Sequence, residues 1–256
     1  MKGVNVGGVK MKMDGVKGTN VYGLDGGRWP DPKRVKELWV EGSRDSGVRQ
    51  DELIFFPMWK TPDPSFVYWT EGLGPVDNEF SEASFFGGSP KAIDWFARTF
   101  YAYHKHYLAF DLFVGKDQTL INALFLLFPE RFITIYERDI SAPAFLALNE
   151  HNPGATHNPV PVPQDPEHTG YLGQCGSEWF YYQFMFASGG VREKAKKMWV
   201  ERERQRWRVW GWWRGKDLRE CRETRVVGMR GVLRRVFGDG WNGAVGSVSV
   251  PDELEY

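Results

Sequence analysis

Apolar residues recur along this chain with two periods, and the switches between them mark its elements. Leu53-Ile54-Phe55-Phe56 is a continuous apolar run closed by Pro57, which predicts a buried strand. Phe66-Val67-Tyr68-Trp69 predicts a second, followed by a Gly/Pro turn at 72–75. Asn20 to Leu24 predicts a short strand ending at Asp25-Gly26-Gly27, and Phe85-Phe86 another that ends in a Gly87-Gly88 turn. From Ser89 the period changes to 3.6. Ser89 is placed to cap a helix with Pro90 at its first position, and Ile93, Phe96, Phe100, Tyr103 and Tyr107 share its apolar face. A second helix is expected from Gln118 to Phe128, capped by Asp117 and stopped by Pro129, with a strand over 132–136 after it.

The remaining segments are predicted in the same way. Arg28 to Pro32 reads as a turn, with Pro32 opening a short helix through Val35, Leu38 and Trp39. Residues 149–170, rich in Pro, Asn and His, read as a long surface loop. Trp179 to Phe186 suits helix or strand equally. A basic helix is expected from Val191 to about Arg214, with Trp199, Trp207, Trp210 and Trp213 in one stripe. Arg225 to Phe237 predicts another amphipathic helix. Residues 1–19 carry five glycines in their first eighteen positions and show no periodic face, so a loose tail is expected. Strands alternating with helices predict an α/β fold, divided into a tail (1–19), a main domain (20–190) and a basic helical C-terminal segment (191–256).

Composition changes this picture in three places. The aromatic content, 12 Trp and 18 Phe among 256 residues, predicts a large core with a minority of rings left to line a groove. The formal net charge is zero, yet residues 191–237 hold 16 Lys+Arg against 6 Asp+Glu. That segment can fold against an acidic body or contact an anionic surface; its interspersed glutamates favour the former, and no nucleic-acid partner is expected. Cys175 and Cys221 lie far apart without metal-ligand spacing, and two buried thiols are expected. No run approaches a membrane span and no secretory signal opens the chain, so the sequence assigns no location.

Candidate chemistry falls on three places. Asp25, at a strand end before two glycines, stands where α/β folds place ligand contacts; it can equally close an Asp-Gly turn. Asp117-Gln118, with Asn122 one turn on, can meet hydroxyl groups or serve as a helix start. Glu82 precedes Phe86 and the Gly87-Gly88 pair, whose backbone can approach a ligand or merely connect strand to helix. The five histidines lack ligand spacing, and no Walker loop, GxGxxG, zinc pattern or Ser-His-Asp order is present.

Glu82 to Gly88, the helix after it and Asp117-Gln118-Thr119-Leu120-Ile121-Asn122 together resemble the acceptor-side half of a glycosyltransferase of the GT-A type. In particular, over about residues 20 to 145 the chain resembles the HtrL/YibB family of glycosyltransferase-like proteins. The resemblance implies a mixed sheet flanked by helices and transfer of a sugar from a nucleotide-sugar donor to a glycan acceptor. It further implies Mn²⁺ or Mg²⁺ at Asp25, donor or acceptor contacts from Asp117, Gln118 and Glu82, and a sugar site lined by Phe86, Gly87, Gly88 and Asn122. Only about twenty residues precede Asp25, too few for the βαβ unit that holds the nucleotide in such enzymes. A truncated or inactive form is therefore expected, with an apolar sheet edge or face exposed near 20–25 and 53–56. The alternative is a non-catalytic protein that binds a glycan or an anionic surface.

Overall fold

A computed structural model describes residues 3–6, 9–13, 29–58, 61–78, 80–81, 85–135, 181–193 and 225–252. The expected strand at 20–24, the loop at 149–170, both cysteines and most of the basic Trp/Arg helix lie outside these residues. The fold is α/β, a mixed sheet with helices. Its strands are β1 (Gly3–Val6), β2 (Val9–Met13), β3 (Ile54–Phe55), β4 (Phe85–Gly88), β5 (Phe132–Ile135) and β6 (Val226–Gly228), in the order β1-β2-β4-β3-β5-β6. Pairing is antiparallel between β1 and β2, β2 and β4, and β4 and β3, and parallel between β3 and β5. The helices are α1 (Pro32–Ser46), α2 (Pro90–Ala109), α3 (Asp117–Leu127), α4 (Tyr181–Met185) and α5 (Met229–Phe237).

Chain contacts divide the protein into two compact units. One comprises residues 1–16, 36–134 and 226–256, and the other 17–35 and 135–225. The first holds the sheet strands nearly whole. Within it α3 is buried from Thr119 to Leu127, a stretch that is apolar apart from Thr119 and Asn122. The core closes on a group of rings: Phe56 stacks on Phe86 at 4.9 Å, and Phe125 meets Phe132 edge-on at 4.8 Å. In the second unit, Asp31 starts α1 by accepting the Lys33 amide, with Pro32 at the first position.

Several expectations hold. Ser89 caps α2 through the Ala92 amide, Pro90 opens it, and Leu53 to Phe56 are fully buried around β3. Five are corrected. Residues 1–19 contain the hairpin pair β1–β2, with Val6 opposite Val9. The run 66–69 is not a strand: Asp63 accepts the Ser65 amide, and Pro64–Tyr68 forms a 3-10 turn. Residues 226–228 form a strand, not helix, because Val226 and Val227 enter the sheet beside β5 before α5 begins. The buried stripe of α2 is Ala92, Phe96, Thr99, Tyr103 and Tyr107, which leaves Ile93 and Phe100 half-buried. Finally, β3 is no exposed edge, since β4 and β5 pair with it on either side.

Candidate functional site

The Asp-Gln-x-x-x-Asn stretch opens α3, and the structure divides its residues by role. Gln118 and Asn122 are one turn apart and face the segment 76–81. Gln118 Nε2 donates to the Ser81 carbonyl, Ser81 Oγ donates to Asn122 Oδ1 at 2.6 Å, and Asn122 Nδ2 donates to the Asn78 carbonyl. The Val76 amide completes the attachment by donating to the Thr119 carbonyl. Ser81 and Asn122 are fully buried. Both amide side chains therefore pin a loop, through backbone carbonyls and, for Asn122, the Ser81 hydroxyl as well.

Asp117 differs. It is the first residue of α3, not its cap; Lys116 holds the cap position without a side-chain bond, and Asp117 Oδ1 accepts from the Gln118 amide. The side chain is exposed, as is Asp77, whose carboxylate lies 3.8 Å from the Lys116 ammonium. The helix N-terminus favours this carboxylate electrostatically.

The Gly87-Gly88 pair is not a turn. Both residues belong to β4 and are paired with β2 on one side and β3 on the other, so their amides face neighbouring strands. A Cβ on Gly88 would stand 3.1 Å from the Leu53 carbonyl and 3.3 Å from the Ala92 Cβ, so close packing of strand and helix explains the glycine. Phe86 stacks on Phe56 and meets Phe96 at 5.7 Å, so this half-buried ring packs at the margin of the core. Asp25 and Glu82 lie outside the described residues. No group of three His, Cys, Asp or Glu side chains gathers to hold an ion among the described residues, so these offer no ligand set for the expected Mn²⁺ or Mg²⁺.

Beside Asp117 lies a feature that the strand and helix periods do not signal. The connection from α2 to α3 exposes Phe110 and, at 79%, Phe113, while Leu108 is exposed at the end of α2. Asp111 takes a left-handed backbone (φ 57°), and Leu112 turns inward against Gly74. The Phe113 ring folds back over Gly115, whose missing Cβ makes room for it. A flat ring is thus held over the backbone two residues before an exposed carboxylate.

A buried polar group, also unforeseen, lies elsewhere in the same unit. Glu71 is only 8% exposed and accepts from the Ser247 amide (2.9 and 3.1 Å) and the Ser247 hydroxyl (2.5 Å). Burial opposes ionisation of Glu71, but these bonds outweigh it and hold the carboxyl below its ordinary range. The Tyr103 and Tyr107 hydroxyls are buried nearby; that of Tyr103 is directed at Glu71, and that of Tyr107 has no hydrogen-bond partner. Burial first pushes both phenols well above their usual value; Tyr103 is raised further by its hydrogen bond to Glu71, and both by the Glu71 charge. The only sequence signal was a pair of tyrosines, four apart, on a face that otherwise buries apolar groups.

Comparison with known proteins returns no match: no family model, no curated protein and no solved structure is similar to this chain. No helix among the described residues is long and apolar enough to cross a membrane.

Proposed function

We propose that this chain is a non-catalytic carbohydrate-binding protein on a glycosyltransferase-like scaffold, and that it takes a glycan at the α2–α3 connection. The observation that carries this reading is the exposed Phe113 ring, folded over Gly115, beside the exposed Asp117. An aromatic face offers stacking to the C–H side of a sugar ring, while a carboxylate accepts hydrogen bonds from its hydroxyls. Asp77 adds a second acceptor close to Lys116, and Lys116 adds a donor. Binding, not transfer, is favoured because Gln118 and Asn122 hold the backbone of a loop, Phe86 packs on Phe56, and Gly87 and Gly88 pair within the sheet. The mixed sheet, with β3 and β5 parallel, supports the scaffold part of the reading.

Titration of the protein with a panel of defined oligosaccharides, followed by calorimetry, tests it. Saturable binding is expected without added metal. Phe113→Ala and Asp117→Asn should each weaken it at least tenfold, about 1.4 kcal/mol, and leave the melting temperature unchanged. Absence of glycan binding together with Mn²⁺-dependent cleavage of a nucleotide sugar would replace this reading by sugar transfer.

A further inference from the structure

The chain after α5 crosses the sheet-bearing unit without regular structure, and its attachments are few. Gly243 has φ +95° and lies 3.3 Å, by its would-be Cβ, from the Leu126 carbonyl. The Ala244 amide donates to that carbonyl at 2.9 Å, satisfying one of the carbonyls left open at the end of α3. Ser247 makes its three bonds to Glu71, and Arg98 donates to the Pro251 carbonyl at 2.5 Å. Little apolar surface helps. Val245 is 88% exposed, Gly246, Ser247 and Ser249 are exposed, and Val248 and Val250 are half-buried.

Beneath this segment the chemistry is unlike the rest of the core. Gly246 lies directly against the Tyr103 hydroxyl, with Leu127 and Glu71 beside it, and any side chain there would collide with the phenol. Tyr103 and Tyr107 are fully buried; the Tyr103 hydroxyl is directed at Glu71, and that of Tyr107 has no hydrogen-bond partner. Structural tyrosines normally find a partner, since an unpaired buried hydroxyl is costly. A carboxylate and a phenol thus lie directly under a thin cover of small residues, Gly, Ala, Val and Ser.

We propose that residues 243–250 are a releasable strap, caught by the Ser247–Glu71 clasp, whose opening uncovers a polar groove floored by Tyr103 and Tyr107. Segments with few buried apolar contacts open at low free-energy cost while the body stays folded. The clasp supplies the main polar attachment over the groove, so breaking it should release the strap alone. The proposal is independent of the glycan reading, because it concerns a different set of residues.

Hydrogen exchange read by mass spectrometry on the full chain tests the strap. Ser247→Ala changes an exposed residue and should leave folding intact; Glu71→Gln alters the clasp from the other side. Both should raise exchange over 243–250 at least tenfold, with α2 and α3 protected as in the wild type. Tyr103 should then become reactive to tetranitromethane. Unchanged strap protection in both variants overturns the proposal. So does parallel loss of protection in α2 and α3, which would make the clasp an integral part of the core.

Discussion

Asn122 illustrates how one side chain can serve a fold where a ligand contact was expected. Its amide reaches the Ser81 hydroxyl and the Val76 and Asn78 carbonyls, all from one turn of α3. Asn122→Ala leaves those groups buried without partners and should cost about 2–3 kcal/mol in urea unfolding. Gln118→Ala, on a half-buried side chain with one such bond, should cost about 1 kcal/mol. A loss under 1 for Asn122→Ala would show that segment 76–81 is held by other means. Gly88→Ala brings a methyl against the Leu53 carbonyl and Ala92, and should destabilise by about 1–3 kcal/mol. Unchanged stability there would return Gly88 to the list of glycines kept open for a ligand.

At the scale of elements, α2 was legible in kind but turned slightly from its expected orientation. Ser89, Pro90 and the 3.6 period are local signals, and each survives in the structure. Which angle of the helix faces the core depends on what it meets. Here Phe56, Phe86 and Phe132 surround Phe96, while Phe100 sits at the margin. Phe96→Ala should therefore cost about 3–5 kcal/mol. Phe100→Ala should cost roughly half that, measured by denaturant midpoint at constant slope. Equal losses would restore the face first expected from the spacing. The residues after Arg225 show the opposite case. Val226, Met229, Val232, Leu233 and Val236 fit a helical period, yet the first of them joins the sheet because β5 offers an unpaired edge. Gly42 lets α1 approach that place closely, with Ile133 and Val226 filling the space of its absent side chain.

For the whole molecule, the strap predicts a response to acid. Glu71 faces Ser247, Tyr103, Tyr107 and His106, and its carboxyl is held below the ordinary range. A lowered folded value means that ionised Glu71 stabilises the native chain. That contribution is complete above the ordinary carboxylate range and is lost as pH falls through the folded value, below about pH 4. The stability difference between wild type and Glu71→Gln should therefore be largest near neutral pH and shrink below about pH 4. A difference that is independent of pH would mean that the Glu71 charge does not hold the strap. The basic excess over 191–237 belongs to the same scale as a sequence fact, and most of that segment lies outside the described residues.

By itself the sequence determined the α/β class, the cap and start of α2, the buried strand at Leu53–Phe56 and the existence of the helix α3. These follow from short-range rules: where a side chain falls along a helix or strand, and which residues start or stop one. Tertiary structure decided everything that depends on a neighbour distant along the chain. Gly87 and Gly88 read as an open turn until β2 and β3 were seen to pair with them on both sides. Gln118 and Asn122 read as ligand contacts, and only the tertiary structure showed that both side chains also hold residues of the 76–81 segment. Glu71 and Ser247, 176 positions apart, carry no local pattern that would join them. A carboxylate shows where it is needed only when the chain brings its donor to it.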